Sequence, residues 1–181
     1  TYSVGVAYNN RKTSLQFIQQ EMNNITALSN ETCQLGIQSR NMVFYIAKKD
    51  SPQPIRLMSS VGKQLPLYCT GLGRALLAYK SEEEIRSLFP EVLTAYTTHT
   101  IATINDLLKE LELTRQRGYA VEHEETNLMV NCIAVSLDYN NAPIAALSIS
   151  IPTFRISESK EKEAVQILWE AKQRIETHFK M

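Results

Sequence analysis

The chain has 181 residues, 44% of them hydrophobic, and its 19 basic and 19 acidic side chains leave no formal net charge. That length suits one hydrophobic core, and the apolar content argues against disorder. A neutral chain with no basic block is a poor match for a phosphate backbone, so nucleic-acid binding by this chain alone is excluded.

The longest apolar runs, such as 143–151, are far too short to span a bilayer, and no secretory signal opens the chain. Cys33, Cys69 and Cys132 are odd in number and widely spaced, which is not a disulfide framework. No CxxC or Cys/His pairing suggests zinc, and no metal site or cofactor is expected. Reduced thiols point to a cytoplasmic protein. The chain begins at Thr1 rather than methionine, so an upstream segment is expected.

No repeat, low-complexity tract or linker divides the sequence, which reads as one domain over residues 1–181. In chain order, residues 12–28 carry Leu15, Ile18, Met22, Ile25 and Leu28 at helical spacing. Residues 33–39 and 42–47 read as strands, turning near Ser39-Arg40-Asn41, and a third strand is expected over 55–60 after Pro52-Gln53-Pro54. Thr70 is a good N-cap for a helix running from Gly71 to Tyr79. Ser81-Glu82-Glu83-Glu84 is a capping box, and Thr103-Ile104-Asn105-Asp106 opens another helix in a similar way. That helix puts Ile104, Leu107, Leu108 and Leu111 on one face and ends at Gly118. Residues 119–122 read as a strand, then 131–138 and 144–150 as a hairpin turning near Asn140-Asn141. A last helix over 157–179 buries Ala164, Ile167, Leu168, Ala171 and Ile175. This order fits an α+β fold, a mostly antiparallel sheet flanked by helices, better than a doubly wound parallel one.

Three segments carry candidate chemistry. In Leu65-Pro66-Leu67-Tyr68-Cys69-Thr70-Gly71-Leu72-Gly73-Arg74, a helix start at Gly71 offers unpaired N–H groups that suit a carboxylate, and a glycine lets a ligand approach. The alternative is that Gly71 and Gly73 merely allow tight helix packing. A dinucleotide fingerprint fails, because its third glycine falls at Leu76. The second segment is Glu122-His123-Glu124-Glu125. A histidine among carboxylates suggests a metal or general base, but it is not HExxH, and a solvated strand end is the expected reading. Cys132 would need a histidine base to act as a nucleophile, and nothing places His99 or His178 beside it. In the third segment, period-two alternation puts Ser148 and Ser150 on one face, opposite Leu147, Ile149 and Ile151. They face either solvent or an interior where a polar ligand is one possible partner.

Taken together the chain resembles the effector-binding domain of the IclR family of bacterial transcriptional regulators. The likeness lies in residues 62–78, then Arg117-Gly118-Tyr119-Ala120-Val121 leading to Glu124-Glu125, Asn131-Cys132-Ile133-Ala134, Ala145-Ala146-Leu147-Ser148-Ile149-Ser150 and the late Arg155. The resemblance implies a GAF/profilin-like sensory domain that self-associates as a dimer or tetramer. A winged helix-turn-helix segment, absent from this chain, would contact operator DNA. It further implies a small-molecule effector, a carboxylate or sugar-derived acid, held by Gly71, Leu72, Glu122, Cys132, Ser148 and Ser150, with an apolar wall of Ile55, Leu57, Leu65 and Val130. Two departures stand out. A glycine common shortly before the cysteine is replaced in Leu128-Met129-Val130, and Ser-Gly-Pro becomes Ser150-Ile151-Pro152. Both are expected to add volume near the pocket. The rival readings are a small hydrolase or transferase using Cys132 or His123, and an oligomerisation domain without a ligand.

Overall fold

The computed structural model describes the backbone of residues 2–56 and 60–180, with side chains from residue 14 onward within that span. Helix α1 (Tyr2–Ser29) turns Ile18, Met22 and Ile25 into the core, while Leu15 and Leu28 are 41% and 56% exposed. The expected apolar stripe is therefore spent only in part on this chain's own interior. Asn30 then takes a left-handed φ of 58° and ends the helix.

Strands β1 (Thr32–Ser39) and β2 (Met42–Lys49) form the expected hairpin, with Arg40 at φ 57° in the turn. Of the expected strand over 55–60, Ile55, Arg56 and Ser60 lie outside any strand, while Leu57, Met58 and Ser59 fall outside the described residues. Two prolines remove ladder donors there. In addition, Ser51 is tied to the end of α1, its N–H donating to Thr32 Oγ1 at 3.2 Å and its hydroxyl to the Asn30 carbonyl at 2.6 Å. The third strand is instead β3 (Gln64–Pro66), paired with Met42–Phe44.

A 3₁₀ turn (Leu67–Cys69) leads into α2 (Gly71–Leu77), two residues shorter than expected. Gly73 is required at its place, since a Cβ there would stand 2.2 Å from the Leu67 carbonyl oxygen. Helix α3 (Glu82–Leu88) starts on the expected capping box. Helix α4 (Ile104–Arg117) is capped by Thr103 and stopped by Gly118 at φ 78°. Strands β4 (Ala120–His123), β5 (Val130–Tyr139) and β6 (Ala142–Pro152) follow, and Asn140 and Asn141 both take positive φ in the tight β5–β6 turn. Helix α5 (Glu158–Phe179) closes the chain, capped by Ser157, and buries its five expected apolar residues.

The sheet is antiparallel throughout, in the order β3-β2-β1-β6-β5-β4, so the fold is the expected α+β. One face packs on α1 and α5 through Cys33, Leu35, Ile133, Leu147, Ile149 and Ile151. The other packs on α2 and α4 through Val43, Tyr45, Ala134 and Ala146. Strand β4 pairs with Asn131–Ala134, so among the described residues β5 continues beyond it without a strand on its outer side. There, Lys172 of α5 donates to the Ser136 carbonyl at 2.8 Å, and Glu176 accepts the Asp138 N–H at 2.8 Å.

Candidate functional site

On the α2 face the register lines up polar residues from neighbouring strands. Thr32, Ser150, Cys132 and Glu122 form one row across β1, β6, β5 and β4; Gln34, Ser148, Ala134 and Ala120 form the next. The serine pair therefore faces the interior, and both hydroxyls are fully buried. Their partner is a residue the sequence reading did not single out. Gln34 Oε1 accepts from Ser150 Oγ at 2.9 Å and from Ser148 Oγ at 3.2 Å. Ser150 Oγ also stands 3.1 Å from Cys132 Sγ.

The start of α2 lies on this row. A Cβ at Gly71 would stand 3.3 Å from the Cys132 Cβ and 3.4 Å from the Ala134 Cβ, so α2 begins directly above β5. Thr70 Oγ1 accepts the Gly73 N–H at 3.1 Å. The N–H groups of Gly71 and Leu72 precede the first intrahelical bond. The Leu72 side chain points into the core.

The expectation of a solvated strand end at 122–125 holds for His123, which is exposed, and is overturned for Glu122 and Glu125. Glu122 is 1% exposed, its Oε1 accepting the N–H of Glu125 and, at 3.2 Å, that of Thr126. Burial pushes its carboxyl up to about 7, against the pull of those two donors. Glu125 is buried as well and paired with Arg74, whose guanidinium also donates to the Tyr68 carbonyl at 3.0 Å and the Val121 carbonyl at 2.9 Å. Arg74 is a brace, tying α2 to the end of β4 with all its charge engaged. The sequence placed it in a motif without hinting at this work, because its partner lies 51 positions away.

The nucleophile reading loses its base. Glu122 stands opposite Cys132, whereas His123 stands opposite Asn131, on the other side of the pleat, exposed and 3.0 Å from Asn131 Oδ1 through Nδ1. His178 stacks on Phe17 in the α1–α5 layer. Burial, with the charge of Glu122 beside it, raises the Cys132 thiol well above its usual range, which suits a hydrogen-bonding group and not a thiolate. Among the described residues no three potential ligands cluster around a metal position, and no helix is long and apolar enough to cross a membrane.

The inferred apolar wall is gathered only in part. Leu65 and Val130 are half-buried, and Leu65 packs on the α2-side core. Ile55 is 63% exposed, its carbonyl accepting from Arg155, which also grips Glu31 in a two-pronged pair. Of the two departures, Met129 holds a left-handed φ of 67°, the conformation a glycine would take freely, with its side chain exposed. Ile151 goes the other way from expectation, into the α1–α5 core, so its bulk is not added to the site.

These features have relatives. The family described as "Bacterial transcriptional regulator IclR C-terminal" matches residues 8–177. The HTH-type transcriptional regulator KdgR of Dickeya chrysanthemi is 39% identical over 157 residues, which cover 86% of this chain and 52% of that protein. The chain thus spans just over half the length of the curated relatives it matches. The C-terminal domain of E. coli KdgR superimposes with a TM-score of 0.82 at 32% identity, over 91% of this chain and 97% of that one. An IclR homologue from Microbacterium hydrocarbonoxydans, crystallised with 4-hydroxybenzoate, shares the fold with a TM-score of 0.82 at 22% identity, over 93% and 68% of the two chains. The relatives are named as regulators of transcription and not as enzymes. This chain belongs to the IclR family of bacterial transcriptional regulators, as its C-terminal domain.

Proposed function

We propose that this domain binds a small metabolite, a carboxylate or sugar-derived acid, between the start of α2 and the row Ser150–Cys132–Glu122. Occupancy then alters DNA binding by a helix-turn-helix segment of the full protein. The observation that supports this best is the convergence of Gly71, Cys132, Glu122 and the buried serine pair at one place in a domain of a regulatory family. A site of this kind supplies donors for a carboxylate from the Gly71 and Leu72 N–H groups, and from Ser148 and Ser150 once their hydroxyls turn away from Gln34, while Leu65 and Val130 wall its apolar side. Glu122, uncharged below about pH 7, tolerates an acid beside it in that state. We further propose that the full protein is cytoplasmic, self-associates as a dimer or tetramer, and reaches operator DNA only through its helix-turn-helix part.

A route from the site to the rest of the protein exists in β1. Gln34 holds the serine pair, while its neighbours Cys33 and Leu35 are buried against the α1–α5 layer. A ligand that favours one arrangement of Gln34 thereby acts on the layer that contains α1.

Calorimetry with gluconate and 4-hydroxybenzoate tests the site. An acid that binds the folded domain raises its melting temperature. Gly71→Ala should weaken that binding, because the added Cβ, 3.3 Å from the Cys132 Cβ, fills the space over it while adding only one atom to the packing of the free domain. Undiminished affinity in the variant removes the start of α2 from the site.

A further inference from the structure

Gln34 stands on β1, directly opposite Ser148 and diagonal to Ser150 on the neighbouring β6. Both serine hydroxyls donate to one atom, Gln34 Oε1, at 3.2 and 2.9 Å. An amide oxygen has two lone pairs, so these two hydrogens fill it. A serine hydroxyl has a single hydrogen, and that of Ser150 is spent on Gln34. Across the 3.1 Å to Cys132 Sγ, Ser150 Oγ can therefore only accept, and the thiol donates. The hydrogens of Cys132, Ser150 and Ser148 thus all run one way, along the row and into Gln34. Gln34 is 2% exposed and the two serines 1% or less, so no solvent replaces a bond lost here. A carboxylate is an acceptor only. To be held by the serines it must draw their hydroxyls from Gln34, leaving that oxygen buried without the donors it had. A plain acid has no hydrogen to offer in return, whereas a hydroxylated acid has one. That hydroxyl must lie close to the carboxylate, because Gln34 Oε1 is within 3.2 Å of both serine oxygens.

We propose that Gln34 is a specificity-determining residue of the metabolite site. It selects acids with a hydroxyl on the carbon next to the carboxylate, which donates to Gln34 Oε1 when the serines turn to the acid. This rests on the site proposed above and narrows its ligand from an acid to a 2-hydroxy acid, a class that includes sugar acids such as gluconate. The discrimination comes from a buried acceptor that a plain acid leaves unpaired, and not from any added attraction for the carboxylate.

Hexanoate, 2-hydroxyhexanoate and 6-hydroxyhexanoate test this by calorimetry, being alike in chain length and differing in one hydroxyl and its place. The unaltered chain should bind 2-hydroxyhexanoate roughly three- to tenfold more tightly than the other two, the value of one hydrogen bond. In Gln34→Met, which is close to glutamine in length and has no amide, the three acids should bind alike, with hexanoate no weaker than before. If that variant does not fold, Gln34→Asn, whose amide falls one methylene short of the serines, should lose the preference in the same way. Equal binding of the three acids to the unaltered chain, or a preference that survives in the variant, overturns the proposal. Gly71→Ala separates this from the site itself, since it should weaken all three acids and keep their ranking. Undiminished binding there counts against the start of α2 and not against Gln34. If 4-hydroxybenzoate binds and 2-hydroxyhexanoate does not, the site stands and the proposal falls. If none of these acids binds to the chain or its variants, both fall.

Discussion

The two faces of the sheet are made by the same strands and do opposite work. On β1, Cys33 and Leu35 face the α1–α5 layer while Thr32 and Gln34 face α2; on β6, Leu147 and Ile149 alternate with Ser148 and Ser150. One face packs as a continuous apolar cluster against α1 and α5. The other carries a carboxyl, a thiol, an amide and two hydroxyls, several of them engaged with each other. A pleat separates the two jobs by one residue, so a stability determinant and a recognition determinant can be adjacent in sequence and independent in effect.

The sharpest way to break that independence is on the apolar face. Ile149→Ala, one residue from each serine, should cost about 2–5 kcal/mol of folding stability by leaving a cavity. Urea unfolding measures the cost. Acid affinity, measured where the variant is still folded, should stay close to that of the parent. A tenfold loss of affinity would show that the two faces are coupled through the strand.

Glu122 comes next and is read through pH. Its folded value of about 7 lies above the ordinary 4.5, so the folded protein holds a proton that the unfolded chain releases. The contribution is therefore fully present below about 4.5 and is lost as pH rises through about 7. Relative to Glu122→Gln, which keeps an oxygen for the two N–H donors and cannot ionise, the parent should lose stability over that window, by at most about 3 kcal/mol. Denaturant midpoints of both proteins at pH 5 and pH 8 test the sign, and a parallel pair of profiles would remove Glu122 as the titrating group.

The smallest effect belongs to His123, next to Glu122 but across the pleat. His123→Ala should change stability by less than about 0.5 kcal/mol, as for an ordinary surface position, and leave acid binding as it was. A loss of binding in calorimetry would return the histidine to the site.

What could be read from the sequence was whatever local chemistry decides. The Ser81–Glu84 box, the Thr103 cap, Gly118 and the Asn140-Asn141 turn each contain their own partners within a few residues, and each forms as expected. The alternation at Ser148 and Ser150 was equally plain, though which face lay inside was not, because that depends on β1 and α2. Glu122 and Glu125 looked solvated for a similar reason: the arginine that compensates one of them sits on another element. Gln34 was a single polar residue in a strand-like run, and only the strand order gives it neighbours. The third strand was misplaced because β3 is three residues long, too short to show any period, while 55–60 has the apolar content but lies beside prolines. The family motifs pointed to Gly71, Cys132 and the serines, and those residues do lie together. Ile55 is more exposed than a wall residue should be.

The length of β5 beyond Ala134, which among the described residues has no strand on its outer side, bears on how this protein behaves in a crowded solution. Unpaired strand edges invite foreign strands to add to them. Here Lys172 and Glu176, one helical turn apart on α5, occupy a carbonyl and an N–H of that edge, and their ammonium and carboxylate are held against it. An incoming strand would have to displace two charged side chains before making its first bond. One turn of α5 thus works as a guard against edge-to-edge aggregation, a task separate from packing the core or recognising a metabolite.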